Sequence, residues 1–236
     1  MKRRKILDII LKTLKKVIIA GCISVSIFLI GVNANKIEVR ADTTINQQTT
    51  MAKNRVLIYH SHTGESYADG YNVVQAGNDL ANKLEQKGIA VDHITEKFDV
   101  VYDNSYFNSR KVLNKVDLDS YDLVIDLHRD AASSEITAKD IYGNDISKLM
   151  FVHSTEQNNS KKQFEITDSL KSFGTAFSDD MIREDWNYDH GISHFNQDLN
   201  NNVILIENGF NTNTQDQINR SNTYLAEMIA NFIKKL

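Results

Sequence analysis

The sequence predicts an α/β domain with a mainly parallel central sheet flanked by helices, preceded by an N-terminal membrane segment. Three observations lead to this prediction. Short apolar runs, typical of strands that are buried on both faces, recur from residue 55 onward. Stretches with apolar residues at helical spacing lie between these runs, as expected for a layered α/β domain. The first 34 residues, in contrast, join a basic stretch to an uninterrupted apolar run.

Five apolar runs predict the strands of the sheet. Each run is short, as strands of globular proteins are. The runs cover residues 56–59, 89–94, 123–127, 148–153 and 203–206. The patterns leave the order of the strands in the sheet open.

Two helices are marked by apolar residues at helical spacing. The first covers 73–84, and Gly88 supplies its stop. The second covers 218–236 and closes the chain, with Thr214 and Gln217 forming a capping box at its start. The apolar positions are Val73, Gly77, Leu80 and Leu84 in the first helix and Ile218, Leu225, Ile229, Phe232 and Leu236 in the second.

Residues 1–34 predict a targeting segment. They contain seven Lys or Arg residues and a single acid, and the sixteen residues 17–32 carry no charge. Positive charge on the N-terminal side predicts a cytoplasmic N-terminus and an exported body. We therefore expect a basic N-region plus apolar membrane anchor or signal segment at 1–34. A polar extracytoplasmic linker at 35–53 and a folded domain at 54–236 follow.

The single cysteine, Cys22, lies inside the apolar run. Its neighbours resemble a lipidation site, but the apolar run continues for ten residues beyond it, which favours a small apolar residue in a helix. The rest of the chain has no cysteine, which excludes disulfides, cysteine nucleophiles and thiolate metal ligands there. Its 20 basic and 30 acidic residues after position 34 argue against nucleic-acid binding and against lying flat on an anionic membrane.

Residues of types that bind metals or transfer protons follow three of the predicted strands. In parallel α/β sheets, ligands bind at the carboxyl ends of the strands, so residues that follow different strands meet at one edge. These residues are His60, His62 and Glu65 after the first strand, His128, Arg129 and Asp130 after the third, and Glu207 after the fifth.

Two histidines and a glutamate of this set predict a zinc site. His62 and Glu65 have the spacing H-x-x-E, which places both on one face of a loop that enters a helix. With His128 from a neighbouring strand they form the two-histidine, one-carboxylate set common in catalytic zinc sites. Glu207 is then left as the general base that deprotonates the attacking water. We expect His60 either to lie behind the ligands and support them, or to replace His62 as a ligand.

The two charged residues next to His128 each have a functional interpretation. Asp130 is expected to orient an imidazole. Arg129 is expected to bind a substrate carboxylate or the tetrahedral oxyanion. A plain surface ion pair explains both residues equally well.

Four histidines lie outside this set. His93 and His153 occupy strand-like runs and are interpreted as structural. His190 and His194 lie in a polar segment with aromatic residues. That segment fits a substrate-binding wall for sugar or peptide, or, more commonly for such a composition, a solvated loop with partly buried rings. Its aromatic residues are Trp186, Tyr188 and Phe195.

Four segments, in this order, resemble the stage II sporulation protein P family of peptidoglycan hydrolases. They are VLIYHSHTGESY at 56–67, LVIDLHRDA at 123–131, FNQDL at 195–199 and VILIENGFNTN at 203–213. The last segment is also similar to the wider family of zinc N-acetylmuramoyl-L-alanine amidases. The resemblance implies a zinc amidase fold of the phosphorylase/hydrolase-like type, a Zn²⁺ cofactor, and cleavage of the amide between N-acetylmuramic acid and L-alanine.

The resemblance also implies a place and partners for the protein. It implies a membrane-anchored enzyme that degrades septal peptidoglycan during engulfment in sporulation. The partners implied are a lytic enzyme like stage II sporulation protein D and a membrane protein like stage II sporulation protein M.

Two other functions fit the same residues. A zinc carboxypeptidase or endopeptidase that acts within wall stem peptides has an H-x-x-E, a later His and a late Glu in the same order. A septal scaffold without enzymatic activity would keep the fold but would not need His62, Glu65, His128 and Glu207, so their presence argues against it. The ends released from purified wall distinguish the amidase from the peptidase.

Overall fold

The computed structural model of the chain describes residues 54–236. The membrane segment expected at 1–34, the linker expected at 35–53 and Cys22 lie outside the described residues. Within 54–236, none of the helices has the length and apolar character needed to cross a membrane.

The described part of the chain contains eight strands, four α-helices and three 3₁₀ segments. The strands are β1 (Arg55–Tyr59), β2 (Ala90–His93), β3 (Leu123–Asp130), β4 (Ala138–Lys139), β5 (Asp145–Ile146), β6 (Leu149–Ser154), β7 (Trp186–Tyr188) and β8 (Val203–Phe210). The helices are α1 (Val73–Glu85), α2 (Ser105–Leu113), α3 (Ser160–Gly174) and α4 (Gln215–Ile233). The 3₁₀ segments are Tyr102–Asn104, Leu118–Ser120 and Ile192–Leu199.

Six strands form one sheet in the order β2-β1-β3-β8-β6-β7. The first four run parallel to one another, whereas β6 is antiparallel to β8 and β7 is parallel to β6. The predicted α/β fold with a mainly parallel sheet is therefore confirmed, and β6 and β7 are the reversed strands. β4 and β5 form a separate antiparallel pair.

All five predicted strands are present, and β3 and β8 extend well beyond their apolar runs. β3 and β8 continue three and four residues beyond the predicted ends because their polar carboxyl ends still pair with each other. His128 and Glu207 are direct partners in this extension. These two side chains therefore lie on strands, where the sheet fixes their directions, and not in the loops that follow.

Both faces of the sheet are covered because side chains alternate along each strand. On β1, Val56 and Ile58 pack in the large core formed with α1, α3 and α4. Leu57 and Tyr59 point to the opposite face, where they pack with Leu113 of α2. Val124 of β3 and Val203 of β8 belong to the same cluster and therefore lie on the face that α2 covers. Because side chains alternate along a strand, the polar side chains in line with these valines at the carboxyl ends of β3 and β8 point to that face as well.

Two local features characterise α1 and α4. The predicted capping box of α4 is present: the backbone N of Thr214 donates to Oε1 of Gln217 over 3.0 Å. In α1, a Cβ at Gly77 would lie 2.6 Å from Nε2 of His60 and 2.7 Å from Nε2 of His93. Glycine at this position therefore lets the helix approach these two rings closely.

Candidate metal centre

His62, Glu65 and His128 come together at the carboxyl end of the sheet. One nitrogen of each imidazole and a carboxylate oxygen all lie within 4.8 Å of one another. Oε1 of Glu65 lies 3.7 Å from Nδ1 of His62, and Oε2 of Glu65 lies 3.6 Å from Nδ1 of His128. Two imidazole nitrogens and a carboxylate converging on one point form a donor set that fits Zn²⁺.

A turn, and not the start of a helix, places His62 and Glu65 side by side. The backbone N of Glu65 donates to the carbonyl of His62 over 3.3 Å, and α1 begins only at Val73. Asp99 supports the turn from outside, because its carboxylate accepts hydrogen bonds from Thr63 Oγ1 at 2.6 Å and from the backbone N of Gly64 at 2.7 Å. No local sequence motif connects Asp99 to this turn, so its role is visible only in the structure.

Asp126 orients the imidazole of His128. Its Oδ1 lies 2.8 Å from Nε2 of His128 and accepts the backbone N–H of Ser61 at 2.8 Å, while Oδ2 accepts the Ser61 hydroxyl at 2.8 Å. A carboxylate accepts only, so Nε2 of His128 carries the proton and Nδ1 is left to face Glu65. The period of two along β3 places residues 126 and 128 on one face, and this signal could have identified Asp126 from the sequence.

Of the two interpretations of Asp130, an imidazole partner or an ion pair, the structure shows the ion pair. Asp130 does not contact an imidazole, because its carboxylate accepts Nη1 of Arg183 at 2.8 Å and the backbone N of Ala131 at 2.7 Å. Arg129 supports a ligand, since its backbone N donates to Glu65 over 3.1 Å and its Nε to the carbonyl of Ser66 over 3.1 Å. The guanidinium of Arg129 also lines the cleft beside the ligands.

The placement of His60 corrects its interpretation as a rival ligand. Nδ1 of His60 lies 2.7 Å from the carbonyl oxygen of Leu127, and Nε2 lies 2.8 Å from Nε2 of His93. Both ring nitrogens are therefore engaged under α1, behind His62 and away from the cleft. Burial lowers the pKa of His60 to about 3 and lowers the pKa of His93, so both rings are neutral.

His153 is also structural. Its ring stacks on Phe164 with centroids 4.0 Å apart, and its Nε2 lies 3.3 Å from the carboxylate of Asp185.

The charges around the three ligands favour a cation. Burial lowers the pKa of His128, but the carboxylates of Asp126 and Glu65 outweigh burial and raise this pKa to about 10. Burial raises the pKa of Glu65, but the charge of His128, the neighbouring His62 imidazole and the hydrogen bond from the Arg129 backbone bring it below its usual value. Positive charge is therefore stabilised at the point where the donors converge.

Glu207 presents a half-buried side chain beside this point, with a buried carboxylate oxygen. It is paired with His128 across β3 and β8, and its Oε2 has no hydrogen-bond partner among the described residues. Burial is the main reason why its pKa rises to about 8, and the charge of Glu65 adds to the effect. A buried oxygen without a partner needs an explanation, and a role in proton transfer provides one.

A cleft of about 370 Å³ opens beside the ligands and Glu207. The side of the cleft next to β7 contains the three aromatic residues of the polar segment. From the sequence, this segment could be either a substrate-binding wall or a solvated loop. The structure favours the substrate-binding wall, because all three residues line the same cleft as the ligands. The residues that line the cleft besides His62, Glu65, His128 and Glu207 are Tyr102, Tyr106, Arg129, Asp130, Ala131, Met150, Val152, Trp186, Tyr188, Ile192, Phe195 and Leu205.

The comparisons with known proteins agree with the fold. The family model of Stage II sporulation protein P matches residues 31–230. Stage II sporulation protein P of Bacillus subtilis is 25% identical over 211 residues, which cover 78% of this chain and 52% of that protein. This chain thus spans about half the length of the curated relative that it matches.

Two solved structures show the same fold at low sequence identity. The CwlD amidase of Clostridioides difficile, solved in complex with the GerS lipoprotein, is 15% identical and has a TM-score of 0.51, with 77% of this chain and 96% of that chain covered. The N-acetylmuramyl-L-alanine amidase Ami1 of Mycobacterium smegmatis is 10% identical with a TM-score of 0.51, and the match covers 77% of this chain and 97% of that one.

Proposed function

The chain belongs to the stage II sporulation protein P family, and from this premise we propose that it is an exported, zinc-dependent peptidoglycan hydrolase. The bond cleaved is the amide between N-acetylmuramic acid and L-alanine of the stem peptide, in septal wall degradation during sporulation. One observation carries the proposal: the carboxylate of Glu207, with a buried oxygen that has no hydrogen-bond partner among the described residues, lies beside three convergent metal donors at the bottom of an open cleft. The amidase-like fold supports it.

The residues that would hold zinc are His62, Glu65 and His128. When bound, zinc supplies polarisation of the scissile carbonyl and lowers the pKa of a water molecule towards ~7. Asp126 keeps the His128 ring in the orientation and tautomer that a ligand needs. Arg129 holds Glu65 through its backbone N and presents its guanidinium to the cleft, where it suits a stem-peptide carboxylate.

Glu207 is the group placed to move protons. Its carboxylate accepts a proton from the water that attacks the amide carbon, as a bond forms between the water oxygen and that carbon. The same proton then passes from Glu207 to the leaving nitrogen of L-alanine as the carbon–nitrogen bond breaks. The products are the muramic acid carboxylate and a stem peptide with a free amino terminus. Burial raises the pKa of Glu207 to about 8, close to the pH at which a group can both accept and return a proton.

The organisation of the whole chain follows the same proposal. Residues 1–34 are proposed to hold the protein at the cell membrane, as an anchor or a signal segment, and residues 35–53 to lift the catalytic domain 54–236 towards the wall. Partners like stage II sporulation proteins D and M are proposed on the family resemblance. Co-purification of the full-length chain with each partner, compared with the chain lacking residues 1–34, tests this part.

Wall digestion by the full-length chain beside Glu207→Gln tests the activity. We expect the wild type to bind one zinc and to release new L-alanine amino termini from purified peptidoglycan in a chelator-sensitive manner. Glu207→Gln is expected to keep zinc and to lose about 10²–10⁴-fold in rate, the usual contribution of a general base. Glu165→Gln, an exposed glutamate on α3 paired with Lys162, is the matched control and should behave as wild type.

Three results would contradict parts of this proposal. Loss of zinc from Glu207→Gln would make Glu207 a ligand and not the base. New ends within the stem peptides would identify a peptidase. Digestion that a chelator does not affect, by a protein without bound zinc, would refute the metal enzyme altogether.

A further inference from the structure

Two large aromatic side chains are exposed at the outer end of the cleft. Trp186 and Tyr188 retain 54% and 44% of their accessible surface, although they lie on a strand of the main sheet. Residues two apart on a strand point to the same side, and both side chains line the cleft that holds the metal donors. Large apolar groups that stay exposed beside a polar cleft indicate a surface that binds a ligand or a partner.

The two rings continue a row of aromatic contacts that begins at His128. Tyr106 lies parallel to the His128 ring at 6.3 Å, Phe195 is 5.3 Å from Tyr106, Tyr188 is 5.2 Å from Phe195, and Trp186 is 6.2 Å from Tyr188. The inner members are buried, with Tyr106 at 5% and Phe195 at 8% exposure. The row therefore turns from a packed wall near the reacting centre into an open surface further out.

The sheet orders the backbone that carries the outer rings, and the rings contact each other and Phe195. β7 pairs with β6 through Trp186 opposite Val152 and Tyr188 opposite Ser154. The backbone N of Thr155 adds a hydrogen bond of 2.8 Å to the carbonyl of Tyr188. A ring that is already ordered loses little conformational entropy when a ligand stacks on it.

The segment that follows β7 fixes the inner wall at some cost in backbone energy. Residues 193–196 all have left-handed backbone angles, with φ between 50° and 60°, a conformation that is unfavourable for residues other than glycine. Buried side-chain hydrogen bonds offset this cost: Gln197 accepts the backbone N of Ser154 at 3.0 Å and donates to the carbonyl of Val152 at 2.7 Å. Gly191 has φ 63°, and a Cβ there would meet the Phe195 ring at 2.2 Å. Strain of this kind is characteristic of binding sites.

We propose that Trp186 and Tyr188 form a saccharide subsite that stacks on pyranose rings of the wall glycan beyond the scissile amide. A pyranose presents a face of C–H bonds that packs on an aromatic ring, while its hydroxyl groups remain in water at the ring edge. Half-exposed, ordered rings meet both needs. The identity of the polymer rests on the proposed function, but stacking itself requires neither zinc nor Glu207.

The opposite rim of the cleft has a different character. The exposed ring there, Tyr102, is 60% exposed but lies 4.2 Å from the His62 ring, so it belongs to the metal donors and not to the outer end of the cleft; its exposed neighbours Val100 and Val101 offer no flat face to a sugar ring. The β7 side is therefore the side on which the glycan lies, and the stem peptide extends towards Arg129.

Tryptophan fluorescence tests the subsite directly, because Trp186 is the single tryptophan of the chain. We expect peptide-free glycan strands to change the emission of the full-length Glu207→Gln chain in a saturable manner, equally with and without chelator. Tyr188→Ala in the same background should weaken the affinity by about tenfold, the upper range for one ring contact. Tyr142→Ala, an aromatic residue with 78% exposure in the turn after β4, is the matched control and should bind as the parent does.

Hydrolysis by Trp186→Ala supplies the second readout. Its kcat/KM should fall about tenfold more on polymeric wall than on a single N-acetylmuramoyl peptide, because only the polymer reaches the outer rings. An equal loss on both substrates, or no emission change at saturating glycan, would overturn the subsite. An emission change with anionic phosphatidylglycerol vesicles but not with glycan would identify a membrane contact instead.

The two proposals fail in different ways. Glycan binding that depends on Tyr188, in a chain that releases no L-alanine amino termini, would refute the amidase and leave the saccharide subsite standing. Release of L-alanine amino termini without glycan-dependent emission would do the opposite.

Discussion

Replacing Asp126 by asparagine should weaken zinc binding while preserving the fold. Asp126 is fully buried and receives three contacts of 2.8 Å, from the backbone N and hydroxyl of Ser61 and from Nε2 of His128. In Asp126→Asn, the amide oxygen at the Oδ1 position still accepts from Ser61 N and His128. The amide nitrogen then faces the Ser61 hydroxyl, which can accept. What disappears is the negative charge behind the imidazole.

The expected loss in zinc affinity is about 10–100-fold, the usual effect of changing a carboxylate behind a metal-bound histidine. This loss corresponds to about 1.4–2.7 kcal/mol. The missing charge also lowers the pKa of His128 and eases release of its proton when a metal binds, so the loss stays well below that of removing a ligand. Asp126→Ala differs, because it leaves the backbone N of Ser61 without an acceptor, whereas Nε2 of His128 still lies 2.8 Å from the Ser61 hydroxyl. It should therefore reduce the free energy of unfolding by about 1–3 kcal/mol.

Competition with a chromogenic chelator measures the zinc affinity, and thermal unfolding in chelator measures the fold. Asp140→Asn is the matched control, because Asp140 is also a buried carboxylate with several donors, among them the Tyr224 hydroxyl at 2.8 Å and the backbone N of Asn144 at 2.8 Å, but it lies in the turn between β4 and β5. It should change stability and leave zinc affinity alone. Wild-type zinc affinity in Asp126→Asn would refute the role of Asp126 in orienting His128.

Two further predictions concern the stability of the domain. Gly77→Ala places a Cβ 2.6 Å from Nε2 of His60; overpacking of about 1–3 kcal/mol should exceed the gain of about 1 kcal/mol in helix propensity, so the Tm falls while zinc affinity is unchanged. A Tm at or above the wild-type value would contradict the close packing of α1. Burial raises the pKa of Asp140, but hydrogen bonds, chiefly from Asn144, lower it from 3.8 to about 2. The contribution of its charge to stability is present above pH 3.8 and is lost as the pH falls to about 2. The difference in unfolding free energy between the wild type and Asp140→Asn should therefore narrow over this interval. If the unfolding free energies of the two proteins instead fall in parallel as the pH is lowered, the proposed contribution of the Asp140 charge is refuted.

The sequence indicated most of the chemistry of the candidate site, because the strands that carry it are strongly apolar. The runs that became β1, β3 and β8 end in residues whose types are suited to metals and protons, and parallel strands bring such ends together. His62, Glu65, His128 and Glu207 meet in the structure for this reason. Asp126 was overlooked because it lies inside an apolar run, although its position two residues before His128 places both on one face of the strand.

The aromatic wall shows why other parts could not be predicted. β7 has only three residues, all of them exposed, so it has neither the length nor the apolar character by which a strand is identified. β7 forms because it pairs with the edge of β6. β6 in turn is antiparallel to β8, and no local sequence pattern reveals that direction.

What the sequence determined by itself is therefore local: which segments are buried on both faces, where helices begin, and which functional side chains follow each strand. Apolar periodicity and capping residues act over a few positions and can be read without knowing the partners. The tertiary structure alone decided the strand order, the reversal of β6 and β7, the pairing of His60 with His93 and the row of rings from His128 to Trp186. Each of these depends on which distant segment supplies the hydrogen bond or the packing surface, and a residue does not carry its partner's identity in its own neighbourhood.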